Sequence, residues 1–173
     1  GYKRRCQMEE SINKCNNDIK QSADGICQDN LTYDIWKSLG LKEVSPRQLS
    51  PLVLAYIGDS IFDLVVKTMI VTKGNTQVNK MNRVASSIVK AESQSKMIGY
   101  LEDKLTEEEE SVYKRGRNAK SYTSAKNASI SDYRRATGFE ALMGYLYMSG
   151  RYERMCELIK DALDYLESER NSK

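Results

Sequence analysis

Two carboxylates stand inside otherwise apolar segments of this sequence, Asp59 in LAYIGDSIFDLVV and Glu140 in GFEALMGY. A carboxylate removed from water is costly unless it is paired or protonated. Because the two acids are 81 positions apart, they can meet only through the fold. If the two segments pack together, a divalent cation can bridge the carboxylates, which favours metal-assisted hydrolysis. Taken singly, each acid is better explained as a helix-edge carboxylate that faces solvent or pairs with an arginine.

A cationic segment runs from Ser111 to Arg135, with seven Lys and Arg residues and a single acid, Asp132. Concentrated positive charge beside Asn, Ser and Thr is what a phosphate backbone requires of its partner. The segment has only three tyrosines for stacking on single strands, so duplex RNA fits it better. The alternative is a solvated, charged helix end. The candidate RNA-binding residues are Lys114, Arg115, Arg117, Asn118, Lys120, Lys126, Arg134 and Arg135.

The composition excludes several kinds of chemistry. The chain has no His, which removes Ser-His and Cys-His catalysis, so hydrolysis must rest on carboxylates, lysines or a metal. Cys6, Cys15, Cys27 and Cys156 are widely spaced without a CxxC pair, and neither a zinc site nor a disulfide framework is indicated. We therefore expect reduced thiols and a cytoplasmic protein. No apolar run approaches the roughly 20 residues of a membrane span.

The elements that must position these residues are all predicted to be helical. Ser50 followed by Pro51 is a helix start, and the helix should continue to about Lys73. Its apolar residues cover every side, which predicts a helix at the centre of the fold. Small residues in this helix and in the helix of Glu140 should let the two approach closely. These residues are Gly58, Ser60, Gly138, Ala141 and Gly144.

Further helices follow along the chain. One is predicted to begin near Thr76 and to continue, on its apolar period, to Ile98. Thr106 with Glu109 forms a capping box, and the glutamates of TEEEESVYK are expected to start that helix and face solvent. Two more helices should end near Gly150 and the carboxyl terminus. No segment alternates with period two, so the sequence predicts an all-α domain of five to seven helices.

The domain is expected to occupy residues 46–173. Residues 1–45 hold seven basic and seven acidic residues with few large apolar ones, so they are predicted to be a weakly ordered or peripheral extension. Within it, YDIWKSLGL has enough apolar content to dock as a short helix. Met8 is one candidate for the natural start, which the sequence leaves open. The net charge of +3 therefore belongs to the domain.

Three blocks in order, LAYIGDSIFDL, RGRNAKS and YRRATGFEALMGYLY, resemble the ribonuclease III catalytic domain and specifically its short branch, the Mini-III ribonucleases. The resemblance covers about residues 48–167. It implies an all-helical homodimer that cleaves double-stranded RNA with Mg²⁺ and leaves 5′-phosphate and 3′-hydroxyl ends. It also implies the precursor of 23S ribosomal RNA as the substrate, and leaves open whether a ribosomal protein presents that RNA.

The resemblance carries over to single residues. Asp59 matches the aspartate of the GD block and Glu140 the glutamate of the EAL block, which implies that both are catalytic and bind the metal. Longer relatives carry two further acids one turn before these, at the positions of Ala55 and Thr137 here. Since 33 residues follow Glu140, we expect no separate domain for binding duplex RNA, and the catalytic domain must hold its own substrate.

Asp63 is expected to face solvent or to support the site indirectly. Two other functions remain open. With two of the four family acids missing, the fold could serve as a non-catalytic module for RNA binding or ribosome assembly. A generic helical interaction domain would explain neither Asp59 nor Glu140. A scaffold that binds no metal would gain stability by replacing the two acids with apolar residues, so their presence together favours the enzyme.

Overall fold

The computed structural model of the chain describes residues 30–120 and 129–172, and all regular elements in these ranges are helical. Short 3-10 turns lie at Pro46–Gln48 and Glu102–Lys104. The all-α prediction is confirmed for this part of the chain. The α-helices in chain order are α1 (Leu31–Ser38), α2 (Pro51–Val71), α3 (Val78–Val89), α4 (Ala91–Leu101), α5 (Glu107–Asn118), α6 (Ile130–Met148) and α7 (Tyr152–Asn171).

Helix α6 is the centre of the fold. Every residue from Ala136 to Tyr147 is buried except Glu140, which is half-buried. Helices α2, α4, α5 and α7 pack around it. Phe62 of α2 meets Phe139 of α6 edge to face, with ring centroids 5.1 Å apart, and both rings are fully buried. Glu140 is therefore carried by the most rigidly enclosed helix of the domain.

Helix α2 begins where the sequence predicts, since the Ser50 side chain accepts a hydrogen bond from the Val53 amide and Pro51 is the first helical residue. The prediction that this helix is central is wrong for the single chain. One stripe of α2 is buried against α6, while Val53, Tyr56 and Leu64 on the opposite side are exposed, Tyr56 by 80%. Apolar residues surround the helix, but those on its outer side stay exposed within the described chain.

The helix predicted from Thr76 to Ile98 is divided in two. Lys90 adopts an extended conformation with ψ at 150°, which ends α3 and lets α4 start in a new direction. The side chains of Ser93 and Gln94 donate hydrogen bonds to the Ser87 and Val89 carbonyl oxygens. They thereby satisfy carbonyls that a helix end leaves without partners, and this compensates the break.

The capping box at the start of α5 is confirmed, with the Thr106 hydroxyl accepting from the Glu109 amide and the Glu109 carboxylate accepting from the Thr106 amide. The expectation that these glutamates face solvent is wrong for Glu109, which is fully buried. Arg151 and Arg154 of α7 bind its carboxylate at 3.2 and 2.9 Å. This buried ion cluster anchors the start of α5 to α7.

The predicted short helix near YDIWKSLGL is present as α1. Trp36 is buried, and the Thr32 hydroxyl donates to the Tyr147 carbonyl oxygen at the end of α6. Cys6, Cys15, Cys27 and the rest of the polar extension before residue 30 lie outside the described residues. Among the helices described, none is long and apolar enough to cross a membrane.

Candidate active site

Helices α2 and α6 cross with their backbones in direct contact. A Cβ atom on Gly58 would overlap the carbonyl oxygen of Glu140, and one on Gly144 would overlap the carbonyl oxygen of Leu54. Any side chain at either position would push the helices apart. The helices cross at Gly58, the residue before Asp59, and at the backbone of Glu140. The close contact that Gly58 and Gly144 permit therefore brings the two acids near each other.

Gly138 and Ala141 belong to a different helix contact. A Cβ on Gly138 would lie 2.6 Å from the Tyr113 ring, and Gly116 faces Ala141 in the same way. Gly138 and Ala141 therefore let α5, not α2, approach α6. The contact between α5 and α6 still matters to the site, because it holds α6 in place from a second side.

Asp59 is exposed and Glu140 is half-buried, and the two carboxylates interact electrostatically. Burial first, and then the charge of Asp59, raise the pKa of Glu140 to about 7, while a hydrogen bond from Gln94 acts in the opposite direction. No Lys or Arg among the described residues forms an ion pair with either acid. Two neighbouring carboxylates without a counter-charge are unfavourable in isolation, and this is the arrangement that a bound cation stabilises.

The nearby positions add no third carboxylate to Asp59 and Glu140. Ala55 and Thr137 are buried, and the Thr137 hydroxyl donates to the Tyr133 carbonyl oxygen. Asp63 forms an ion pair with Lys67 at 2.6 Å one turn further along α2, in agreement with its expected place at the surface. Within the described ranges, no three Cys, Asp or Glu side chains gather where they could hold a metal.

The donor set fits a magnesium-type ion. Two carboxylates offer oxygen ligands only, and the buried amide oxygen of Gln94, next to Glu140, has no hydrogen-bond partner among the described residues. Mg²⁺ prefers oxygen ligands and retains several waters, so two protein carboxylates suffice when water and a substrate phosphate complete its coordination.

Six of the eight candidate RNA-binding residues line two surface depressions at the ends of α5 and α6, and Lys120 lines neither. Asn118 lines both of them. One lies toward the start of α2 and includes Lys114 and Arg115 together with Glu107 and Glu110. The other includes Arg117, Arg134 and Arg135 together with Glu102, Ile130 and Ser131. Lys126 lies outside the described residues.

These cations differ in what already holds them. Lys114 pairs with Glu110, one turn earlier on the same helix, at 2.7 Å, and Arg135 pairs with Glu102 at 3.4 Å. Arg117 lies over the ring of Tyr113, 5.5 Å from its centroid. By contrast, Arg115, Lys120 and Arg134 are exposed and take part in no ion pair between described residues. The second group is the more available to phosphate.

Gln94 is the site residue that sequence reasoning missed. It belongs to α4, and its amide nitrogen donates to Glu140 Oε1 at 3.2 Å from 46 positions away in sequence. A single glutamine in AESQSKMIGYL carries no spacing signal that would separate it from a surface residue. Only its burial beside the carboxylate identifies it.

Comparisons with known proteins point in one direction. The family model for the ribonuclease III domain matches residues 52–151. Mini-ribonuclease 3 of Clostridium tetani is 50% identical over 127 residues, which cover 72% of this chain and 84% of that protein. Mini-ribonuclease 3 of Brevibacillus brevis is 46% identical over 124 residues, covering 72% and 92%. A crystal structure of a Fusobacterium nucleatum protein superposes with a TM-score of 0.64 at 26% identity, over 71% of this chain and 98% of that one.

Proposed function

The chain belongs to the ribonuclease III family, within the branch of the Mini-ribonuclease 3 proteins, and from this premise we propose that Asp59 and Glu140 are its catalytic, metal-binding carboxylates. As a member of this family, it is an endoribonuclease. We further propose double-stranded RNA as its substrate and Mg²⁺ as its cofactor. One observation carries the assignment: two neighbouring carboxylates without a cationic partner among the described residues lie at a backbone-to-backbone helix crossing.

A divalent cation bound here supplies Lewis acidity toward the scissile phosphate and the attacking water. Asp59 and Glu140 hold it through carboxylate oxygens on two helices that the Gly58–Gly144 contact locks together. Because the pKa of Glu140 is about 7, this carboxyl keeps a proton in part of the molecules at neutral pH. A cation held at this site would require the ionised form of Glu140, because metal ligands bind in their deprotonated state.

The products proposed are a 5′-phosphate and a 3′-hydroxyl. Water oxygen bonds to phosphorus as the bond to the 3′ oxygen breaks, and that oxygen leaves with a proton. The substrate proposed from the resemblance is the precursor of 23S ribosomal RNA, whether free or presented by a ribosomal protein.

The RNA contacts proposed centre on the exposed cations Arg115, Lys120 and Arg134, with Arg117 and Asn118 between them. Arg134 and Glu140 lie on the same helix six residues apart, which is about 9 Å along its axis. A phosphate bound at Arg134 and a phosphate at the carboxylates are therefore within the reach of one duplex. Lys114 and Arg135 can join only by leaving Glu110 and Glu102, and Lys126 stays a candidate from the sequence.

A second copy of the chain is the partner we propose for the exposed stripe of α2. Val53, Tyr56, Leu64 and Val71 follow one stripe of the helix, and all four are exposed. An apolar stripe of this length is unusual on a protein without a partner there. Asp59 borders the stripe, so a two-fold dimer through α2 would give one duplex two sites, one for each strand.

The test of the proposed function is cleavage of labelled duplex RNA in Mg²⁺ by Asp59→Asn and Glu140→Gln. Each variant should lose at least about 100-fold in rate, because each removes a carboxylate that holds the cation. Asp63→Asn is the matched control, since it changes the same residue type one turn away, and it should cleave at the wild-type rate. Undiminished cleavage by Asp59→Asn would contradict the assignment. A wild-type protein that binds duplex RNA without cutting it would indicate the non-catalytic module.

A further inference from the structure

Gln94 occupies a buried position between a helix end and the proposed catalytic glutamate. Its side chain is 1% exposed. The amide nitrogen donates to the Val89 carbonyl oxygen at 2.8 Å and to Glu140 Oε1 at 3.2 Å. One amide group thus connects the end of α3, through α4, to the central helix α6.

The orientation of this amide is fixed by its partners. The Val89 carbonyl oxygen can only accept a hydrogen bond, so the nitrogen of the Gln94 amide must face it. The same nitrogen then faces Glu140, and it favours the ionised carboxylate. This explains why Gln94 lowers the pKa of Glu140 while burial and Asp59 raise it.

The rest of the amide is left unsatisfied. The Gln94 amide oxygen is buried and has no hydrogen-bond partner among the described residues. Buried polar atoms are rarely left this way in folded proteins. An apolar side chain of similar length would fill the same volume without the cost of an unpaired buried oxygen. The presence of an amide at this position therefore indicates that its donor contacts matter.

Capping of α3 does not account for the amide by itself. The neighbouring Ser93 already closes the same helix end through its hydrogen bond to the Ser87 carbonyl oxygen, at 2.8 Å. What Gln94 adds is the contact with Glu140. That contact occupies Oε1, while no hydrogen bond from the described residues reaches Oε2 of the same carboxylate.

We propose that Gln94 is a positioning residue for the cation site, one that holds the Glu140 carboxylate in a fixed orientation with Oε2 available to the metal. The proposal rests on the proposed function of Asp59 and Glu140. Partners of metal ligands commonly change metal affinity or activity by about 10-fold to 100-fold when they are removed.

The experiment compares Gln94→Met with Ser93→Ala. Met fills a similar volume but cannot donate to Glu140, whereas Ser93→Ala removes one buried hydrogen bond at the same helix end and leaves Glu140 untouched. Mg²⁺ is titrated into each protein without RNA, and the melting temperature is followed. Cleavage of duplex RNA is then measured at several Mg²⁺ concentrations.

For Gln94→Met, the Mg²⁺ concentration that gives half-maximal stabilisation should rise about 10-fold, and cleavage at low Mg²⁺ should fall with KM for RNA unchanged. Ser93→Ala should melt earlier and keep the wild-type Mg²⁺ midpoint. If Gln94→Met does not fold, Gln94→Asn, which is too short to hold both contacts, should give the same shift.

A Mg²⁺ midpoint within about twofold of wild type in the folded Gln94 variant would overturn the proposal while leaving Asp59 and Glu140 as the site. The same shift in Ser93→Ala would also overturn it, because the effect would then come from the helix end. If Mg²⁺ neither stabilises the wild type nor supports cleavage, the proposed function itself fails, and the role of Gln94 fails with it.

Discussion

Two glutamates on neighbouring helices, Glu109 and Glu140, have opposite surroundings. Burial alone would raise the pKa of Glu109, but hydrogen bonds from Arg154 and the Thr106 amide lower it below its usual value. Glu140 has Asp59 beside it and a single neutral donor, Gln94, and its pKa rises to about 7. Glu109 is thus neutralised by arginines of the protein itself. Glu140 and its neighbour Asp59 have no counter-charge among the described residues.

The difference separates a structural ion cluster from a binding site. A carboxylate with two arginines and a backbone amide has no capacity left for a ligand, and its effect is to fix the start of α5 on α7. Asp59 and Glu140 are held near each other by the close contact of their helices at Gly58 and Gly144. A partly buried carboxyl whose pKa is raised, as for Glu140, is typical of functional sites.

The largest effect on stability should come from Glu109→Ala. Removing this carboxylate leaves Arg151 and Arg154 without their buried partner, and the free energy of unfolding should fall by about 3 kcal/mol. Urea unfolding at pH 7 measures it. The Mg²⁺ response of the remaining folded protein should not change, and a lost response would mean that the two regions are not independent.

The next largest effect is a pH dependence of the free energy of unfolding, which comes from the carboxyl of Glu140. Since the folded pKa of Glu140 lies near 7 and the unfolded value near 4.5, the native state binds more protons between these pH values. Stability therefore falls as pH rises through this window, and the cost is fully present above it. In metal-free buffer at pH 8, Glu140→Gln should be more stable than wild type by about 2 kcal/mol.

That difference should nearly disappear near pH 4.5, where the wild-type carboxyl is protonated in the native state and about half protonated in the unfolded state. Paired unfolding curves of the two proteins at pH 4.5 and pH 8 isolate Glu140 from the other titrating groups. A wild type more stable than Glu140→Gln at pH 8 without metal would show that Glu140 has a cationic partner after all.

The basic residues also differ in whether a carboxylate of the protein already binds them. Replacing Arg117 and Lys120 together with Ala should weaken binding of duplex RNA and reduce the slope of log K against log salt by up to about 2. Arg154→Ala is the control, because this arginine is committed to Glu109, and it should lower stability while leaving the slope unchanged. Equal slopes in wild type and the double variant would place the RNA elsewhere on the surface.

The smallest effect is expected at Asp63, the third acid of this region. Its pair with Lys67 is an exposed i,i+4 contact, so Asp63→Asn should change the free energy of unfolding by no more than about 0.5 kcal/mol. A thermal melt measures it. A larger change would mean that Asp63 belongs with the paired, structural acids.

Local signals in the sequence predicted much of this arrangement. The Ser50–Pro51 start, the Thr106–Glu109 capping box and the glycines at the α2–α6 crossing each depend on residues close in sequence or on side-chain size alone. The proximity of Asp59 and Glu140 was expected because both acids stand on apolar helices that could pack together. Only Glu140 is partly buried, whereas Asp59 is exposed. These features need no knowledge of distant partners.

The features that were missed depend on distant contacts. Glu109 was predicted to be solvated because its arginines are more than 40 positions away, in α7. Gln94 gave no signal for the same reason. The break at Lys90 is hidden because the apolar period continues across it, and the exposed stripe of α2 resembles a buried helix until the fold shows which side is covered.

The most direct test of the central claim is the melting temperature with and without Mg²⁺ in the absence of RNA, for wild type, Asp59→Asn and Glu109→Gln. At about 10 times its dissociation constant, Mg²⁺ should raise the wild-type melting temperature by roughly 3 to 6 °C. Asp59→Asn should lose this rise, while Glu109→Gln should melt earlier and keep it. An equal rise in Asp59→Asn and wild type would contradict the assignment of Asp59 and Glu140 as the cation site.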